Sequence, residues 1–175
     1  EVGDADANVN ATISGGDATV LFIVNGGNLT LMDMILTFGK SEGSGGALLI
    51  QNGGNGGKLS FTRLVRTIVQ HSAAALSGGA AFISGIGCSL SVEDASFVGN
   101  TAGVSGGAIN ALDGACVNIG SGTSSITDNT AKVSGGGVAV QGSTTSLVGD
   151  GLTSRLLLTN NVAKGNGGAC LIQDG

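Results

Sequence analysis

Apolar and polar residues alternate in short runs along this chain, as in Ala108-Ile109-Asn110-Ala111-Leu112 and Cys116-Val117-Asn118-Ile119. A period of two predicts strands with one buried face, and no stretch shows the 3.6-residue period of an amphipathic helix. In the best-preserved stretch the predicted strands are 91–98, 108–112 and 116–119, separated by the Gly, Asn and Asp residues that turns require.

The runs recur. Phe97-Val98-Gly99-Asn100-Thr101-Ala102-Gly103-Val104-Ser105-Gly106-Gly107-Ala108-Ile109 returns in residues 126–138 and again in 158–170. Weaker copies occupy 36–48 and 68–81, the latter with one extra residue. The paired glycines are Gly45-Gly46, Gly78-Gly79, Gly106-Gly107, Gly135-Gly136 and Gly167-Gly168, and successive pairs lie 33, 28, 29 and 32 residues apart. Such a period, built from short strands and glycine corners, predicts an all-β solenoid. The expected architecture is a single-stranded parallel β-helix with about three strands per coil and coils of roughly 28–33 residues.

Aligning the copies gives columns. Positions 48, 81, 109, 138 and 170, and positions 50, 83, 111, 140 and 172, are small or aliphatic and should face inward. The column between them, Leu49, Phe82, Asn110, Ala139 and Leu171, should face out. Leu36, Ile68, Phe97, Ile126 and Leu158 form a further inward column. Asn100, Asn129 and Asn161 align as a possible amide ladder, with Gly39 and His71 in the corresponding places of the early copies.

Composition sharpens this picture. Glycine is 34 of 175 residues, yet 41% of the chain is hydrophobic and only 11% charged, so a packed interior is available. Only 7 Lys and Arg residues, a net charge of −5 and very few aromatic residues argue against nucleic-acid binding. The longest apolar runs, such as Val20-Leu21-Phe22-Ile23-Val24, are too short to insert in a membrane as a helix.

The pairing of F-x-x-N (Phe97 to Asn100) with G-G-A-[ILV] (Gly106-Gly107-Ala108-Ile109) resembles the repeats of the chlamydial polymorphic outer-membrane proteins and related β-helix proteins. The copies at 126–138 and 158–170 carry aliphatic residues in place of Phe, and the resemblance covers roughly residues 29–172. It implies a right-handed coil and a place at the cell surface, often in adhesion. The carboxy-terminal translocator barrel of that bacterial family has no counterpart in these 175 residues.

Candidate chemistry is sparse. Gly103-Val104-Ser105-Gly106-Gly107 fits the G-x-S-x-G nucleophile elbow, but the same column holds Ser44, Ser77, Ser134 and Asn166, as a repeated corner residue would. Gly39-Lys40-Ser41 and Gly57-Lys58 lack the earlier glycine of a phosphate loop. The glycine-rich turns lack the tandem aspartates of calcium-binding nonapeptides. Asp33, Asp94, Asp113, Asp128, Asp150 and Asp174 read as turn residues; Arg63 and Arg66 belong to one coil, Arg155 to a distant one and Asp94 to the coil after the first pair, so acids and arginines cluster poorly. No catalytic residue, metal ligand or cofactor is therefore expected.

Cys88 and Cys116 each lie ten residues after the first glycine of their repeat, which predicts that they stack in neighbouring coils within disulfide range. Cys170 falls in another column. Asn10-Ala11-Thr12 and Asn28-Leu29-Thr30 are potential N-glycosylation sites.

The functional expectation is a non-enzymatic, extracellular or cell-surface β-helix serving a fibre, sheath or adhesive stalk. The alternative is a β-helix that binds or cleaves carbohydrate. Residues 1–175 form one β-helix segment of a longer chain or fibre in this reading. Further coils or copies stacked end to end are the expected partners, with glycans or cell-surface proteins on the outer faces.

Overall fold

Short alternating runs cannot bury an apolar face alone; they must pair with the equivalent run one repeat away. A computed structural model, describing residues 11–52, 58–151 and 153–173, shows that pairing throughout. Every strand pairing is parallel, and the described residues contain no helix. The result is a β-solenoid of about five turns.

Each turn contributes to four sheets. Sheet 1 holds Ala11–Ser14, Met34–Thr37, Ile68–Gln70, Ser96–Val98, Gly122–Thr127 and Ser154–Thr159. The next strands along the chain form sheet 4, whose members have two residues each: Lys40–Ser41, Ala73–Ala74, Thr101–Ala102, Thr130–Ala131 and Val162–Ala163. Sheet 2 follows, from Phe22–Asn25 through Leu48–Gln51, Ala81–Ser84, Ile109–Leu112 and Val138–Gln141 to Cys170–Gln173. Sheet 3 completes the coil with Gly27–Met32, Ser60–Val65, Ser89–Glu93, Cys116–Ile119 and Ser146–Gly149.

The short sheet 4 is the difference from three strands per coil. The run 91–98 is also two strands, because Asp94 takes φ +48° and turns the chain from sheet 3 into sheet 1. Asp33 and Arg66 make the same corner in the two preceding coils, at φ +54° and +45°. Asp tolerates this left-handed region because its short polar side chain can bond locally; Arg66 does not share that advantage.

The inward columns of sheet 2 fall as the alternation predicts: Leu48, Ala81, Ile109 and Val138 are in register and buried, as are Ile50, Ile83, Ala111 and Val140. Stacking like on like stabilises the coil by about 1.5–3 kcal/mol for each large apolar side chain. The sheet 1 column requires a correction. Leu36 pairs with Val69, and Val69 with Phe97, so Val69 replaces Ile68 in that column and the copy contains no extra residue. Val69 is fully buried, whereas Ile68 is only half-buried. In the intermediate sheet 2 column the coil itself covers two members: Asn110 and Ala139 are buried, because the corners at Gly106 and Gly135 approach them.

The paired glycines are required for two separate reasons. The first member is left-handed in each pair, with φ +72°, +67°, +65°, +60° and +63° from Gly45 to Gly167. The second members from Gly46 to Gly136 are packed coil against coil: a Cβ on Gly107 would strike the carbonyl oxygen of Gly136 and the backbone of Thr130. Only a residue without Cβ satisfies both conditions.

The shift to Val69 moves the polar ladder as well. Ser72, not His71, occupies the column of Asn100, Asn129 and Asn161. Gly39 donates its N–H to Ser72 Oγ at 3.2 Å, and Ser72 donates its own to Asn100 Oδ1 at 3.0 Å. His71 stands one position earlier, in a left-handed column with Phe38, Gly99, Asp128 and Asn160. There its ring stacks on that of Phe38, with centroids 5.6 Å apart.

Candidate functional site

Outward residues of sheet 3 gather the chemistry that the rest of the coil lacks. Alternation turns Asn28, Thr30 and Met32 out of Gly27–Met32, Phe61 and Arg63 out of Ser60–Val65, and Ser89, Ser91 and Glu93 out of Ser89–Glu93. Register then aligns Asn28 with Phe61 and Ser89, and Thr30 with Arg63, Ser91 and Asn118. Between these rows lies a shallow groove of about 300 Å³ lined by Asn28, Thr30, Phe61, Arg63, Ser89 and Ser91.

Two arginines clamp two carboxylates beside the groove. Arg63 donates from Nε and Nη2 to the two Glu93 oxygens, both at 2.7 Å. Arg66 donates to Asp33 Oδ1 at 2.6 Å and Oδ2 at 2.7 Å. Both are fork-to-fork pairs of the bidentate type. The hydrogen bond from Arg63 lowers the Glu93 pKa, and that from Arg66 lowers the Asp33 pKa. Neither carboxyl is therefore a proton donor near neutral pH, as a glycosidase acid would have to be.

Linear sequence spacing separates these arginines from the acids. The partners are 30 and 33 residues apart, which is one coil, so stacking brings them together. Asp94 lies close enough to Arg66 to act on its charge, and its Oδ1 accepts the Thr123 N–H at 2.7 Å. A repeat-length separation between opposite charges is the signal that would have revealed the cluster.

The other candidates serve the backbone. Ser44 and Ser77 hydroxyls accept N–H bonds from Ser77 and Ser105 at 3.3 and 3.4 Å, so the serine of G-x-S-x-G belongs to a ladder of corner residues. Asp113 accepts from Ser84 Oγ at 2.8 Å across one coil. Among the described residues no group of three or more His, Cys, Asp or Glu side chains is placed to hold a metal ion.

Cys88 and Cys116 do not stack. Ser89 is the register partner of Cys116, and the chain reaches sheet 3 through four residues after Ser84 but only three after Leu112. That one-residue difference turns Cys88 inward, fully buried with Sγ 2.6 Å from Asn52 Oδ1, and Cys116 outward beside Asn118 and Ser146. All three cysteines are free thiols. Burial pushes the Cys170 thiol pKa up, which disfavours its reactive thiolate.

Asn28 is exposed on a strand, and Asn10 lies outside the described residues. No protein-family model matches this sequence, and comparison with curated proteins and with solved structures finds no match.

Proposed function

We infer that this chain is a structural β-helix: a stiff, non-enzymatic part of an extracellular or cell-surface fibre, sheath or adhesive stalk. The observation that carries this reading is continuity. Sheets 1 and 2 each run through six strands with the same register, and the inner columns pass through every coil. A solenoid resists bending because each coil is bonded to its neighbours along all its faces.

Ile172 continues the buried column of Ile50, Ile83, Ala111 and Val140, yet it is 68% exposed. A second copy stacked on this coil would cover it. Heterologous stacking of this kind does not close and extends into filaments. The repeat resemblance supports placement at a cell surface.

Carbohydrate binding is the second reading, favoured by the exposed Phe61 ring beside polar Asn28, Ser89 and Ser91. Cleavage is disfavoured by the clamped state of Asp33 and Glu93. Electron microscopy of the chain at increasing concentration tests the structural reading. Unbranched rods of constant width support it. Globular particles at every concentration, with sugar release from added polysaccharides, refute it.

A further inference from the structure

We propose that Asn28 carries an N-linked glycan whose first sugars lie on the Phe61 ring, in the groove of sheet 3. This deepens the cell-surface reading above and rests on it, since the modification requires passage through a secretory route.

The acceptor triplet is Asn28-Leu29-Thr30, and its geometry on the strand suits the role. Asn28 and Thr30 are two residues apart, so both project outward and both are exposed, while Leu29 turns toward the core. Amide and hydroxyl therefore share one accessible face. The amides of Asn100 and Asn129 are buried and committed to the ladder, and neither belongs to such a triplet. Attachment joins Asn28 Nδ2 to C1 of the first sugar of a lipid-pyrophosphate-linked oligosaccharide. The C1–O bond breaks, the lipid pyrophosphate leaves, and one amide proton passes to the base of the transferase.

A second observation concerns the neighbour. Phe61 is the register partner of Asn28 and stands 43% exposed between polar Asn28 and Ser89. A pyranose has an apolar C–H face, and an aromatic ring one strand away offers it a flat surface to cover. Ser89 and Ser91 line the far side of the groove and supply hydroxyls to the sugar's polar edge.

The test is secretion of the chain from a eukaryotic cell line, followed by intact-mass and peptide mapping before and after peptide-N-glycosidase treatment. Mass removable at Asn28 is expected. It should vanish in Asn28→Gln and Thr30→Ala and persist in Thr30→Ser. Secreted protein bare at Asn28 overturns the proposal, most sharply if Asn10 is occupied in the same molecules. The seat on Phe61 is read separately. Enzymatic removal of the glycan should lower Tm by about 2–4 °C, and in Phe61→Ser that difference should disappear. An equal shift in both backgrounds overturns the contact with the ring. Occupancy at Asn28 is independent of end-to-end assembly, so this inference and the fibre reading fail separately.

Discussion

Asn100 donates from Nδ2 to Asn129 Oδ1 at 3.0 Å, one coil away, and that same oxygen accepts the Asn100 backbone N–H at 2.9 Å. Asn129 repeats the arrangement on Asn161, at 2.9 and 3.1 Å. The amides also reach back to main-chain carbonyls, Asn100 to Val69 and Asn129 to Phe97, both at 3.0 Å. Every polar atom of the buried Asn129 amide thus has a partner.

Asn129→Ala should therefore be among the most damaging polar truncations. It strands two buried N–H donors of Asn100, one from the backbone and one from the side-chain amide, at about 1–3 kcal/mol for each group left unsatisfied. Asn161→Ala, at a half-buried position, should cost clearly less. Urea unfolding of the two variants checks the order. Equal losses would show that the ladder is not a buried network.

Glycines should separate by mechanism. Gly107→Ala drives a methyl into the backbone of the next coil, which cannot yield without parting the ladders. It should cost about 3 kcal/mol or more. Gly16 has φ +57° but open space around it, so Gly16→Ala meets only backbone strain, about 1–2 kcal/mol. Gly16→Asn should restore much of that, since Asn tolerates the left-handed region. Denaturant midpoints of the three variants decide the matter.

Thiol chemistry tests the register. Oxidised wild-type protein should yield no peptide linking Cys88 to Cys116. Ser89→Cys should form a disulfide with Cys116, because parallel register partners stand about 4.8 Å apart, inside the range of about 4.4–6.8 Å for Cα atoms. A native link from Cys88 to Cys116 in non-reducing peptide maps would mean that the turn after Leu112 is misplaced.

Acid should weaken the fold through the two arginine clamps. The pKa values of Asp33 and Glu93 are lowered in the folded chain, so the unfolded chain binds protons first as pH falls. Their stabilisation is complete above the ordinary carboxylate range, about pH 4–5, and is lost progressively below it. Asp33→Asn should flatten this part of the profile, and added salt should reduce the effect. Urea midpoints measured between neutral and acid pH provide the check. A profile unchanged by the substitution would contradict the clamp.

Much of the fold was legible because glycine pairs and alternation survive in every copy. The sheet 2 columns follow from counting forward from Gly45, Gly78, Gly106, Gly135 and Gly167. Counting fails where a loop changes length. The turn 85–88 is one residue longer than its counterpart 113–115, which displaced Cys116 from the column of Cys88. Ile68 and Val69 both satisfy the apolar pattern, and only pairing shows that Val69 fills the column and that Ser72, not His71, belongs in the ladder. The arginine clamps are hidden for another reason. They join coils through side chains that no apolar pattern encodes, and only their one-repeat separation points to them.

Sedimentation velocity of the wild-type chain and Ile172→Lys, across a wide concentration range, addresses the structural role most directly. A lysine at the exposed position 172 keeps its charge in water, but a second copy stacked there would bury that charge. The account predicts species that grow with concentration in the wild type, a marked loss of that growth in the variant, and the same β-rich circular dichroism in both. A wild-type chain that remains monomeric at the highest concentration, indistinguishable from Ile172→Lys, would contradict it.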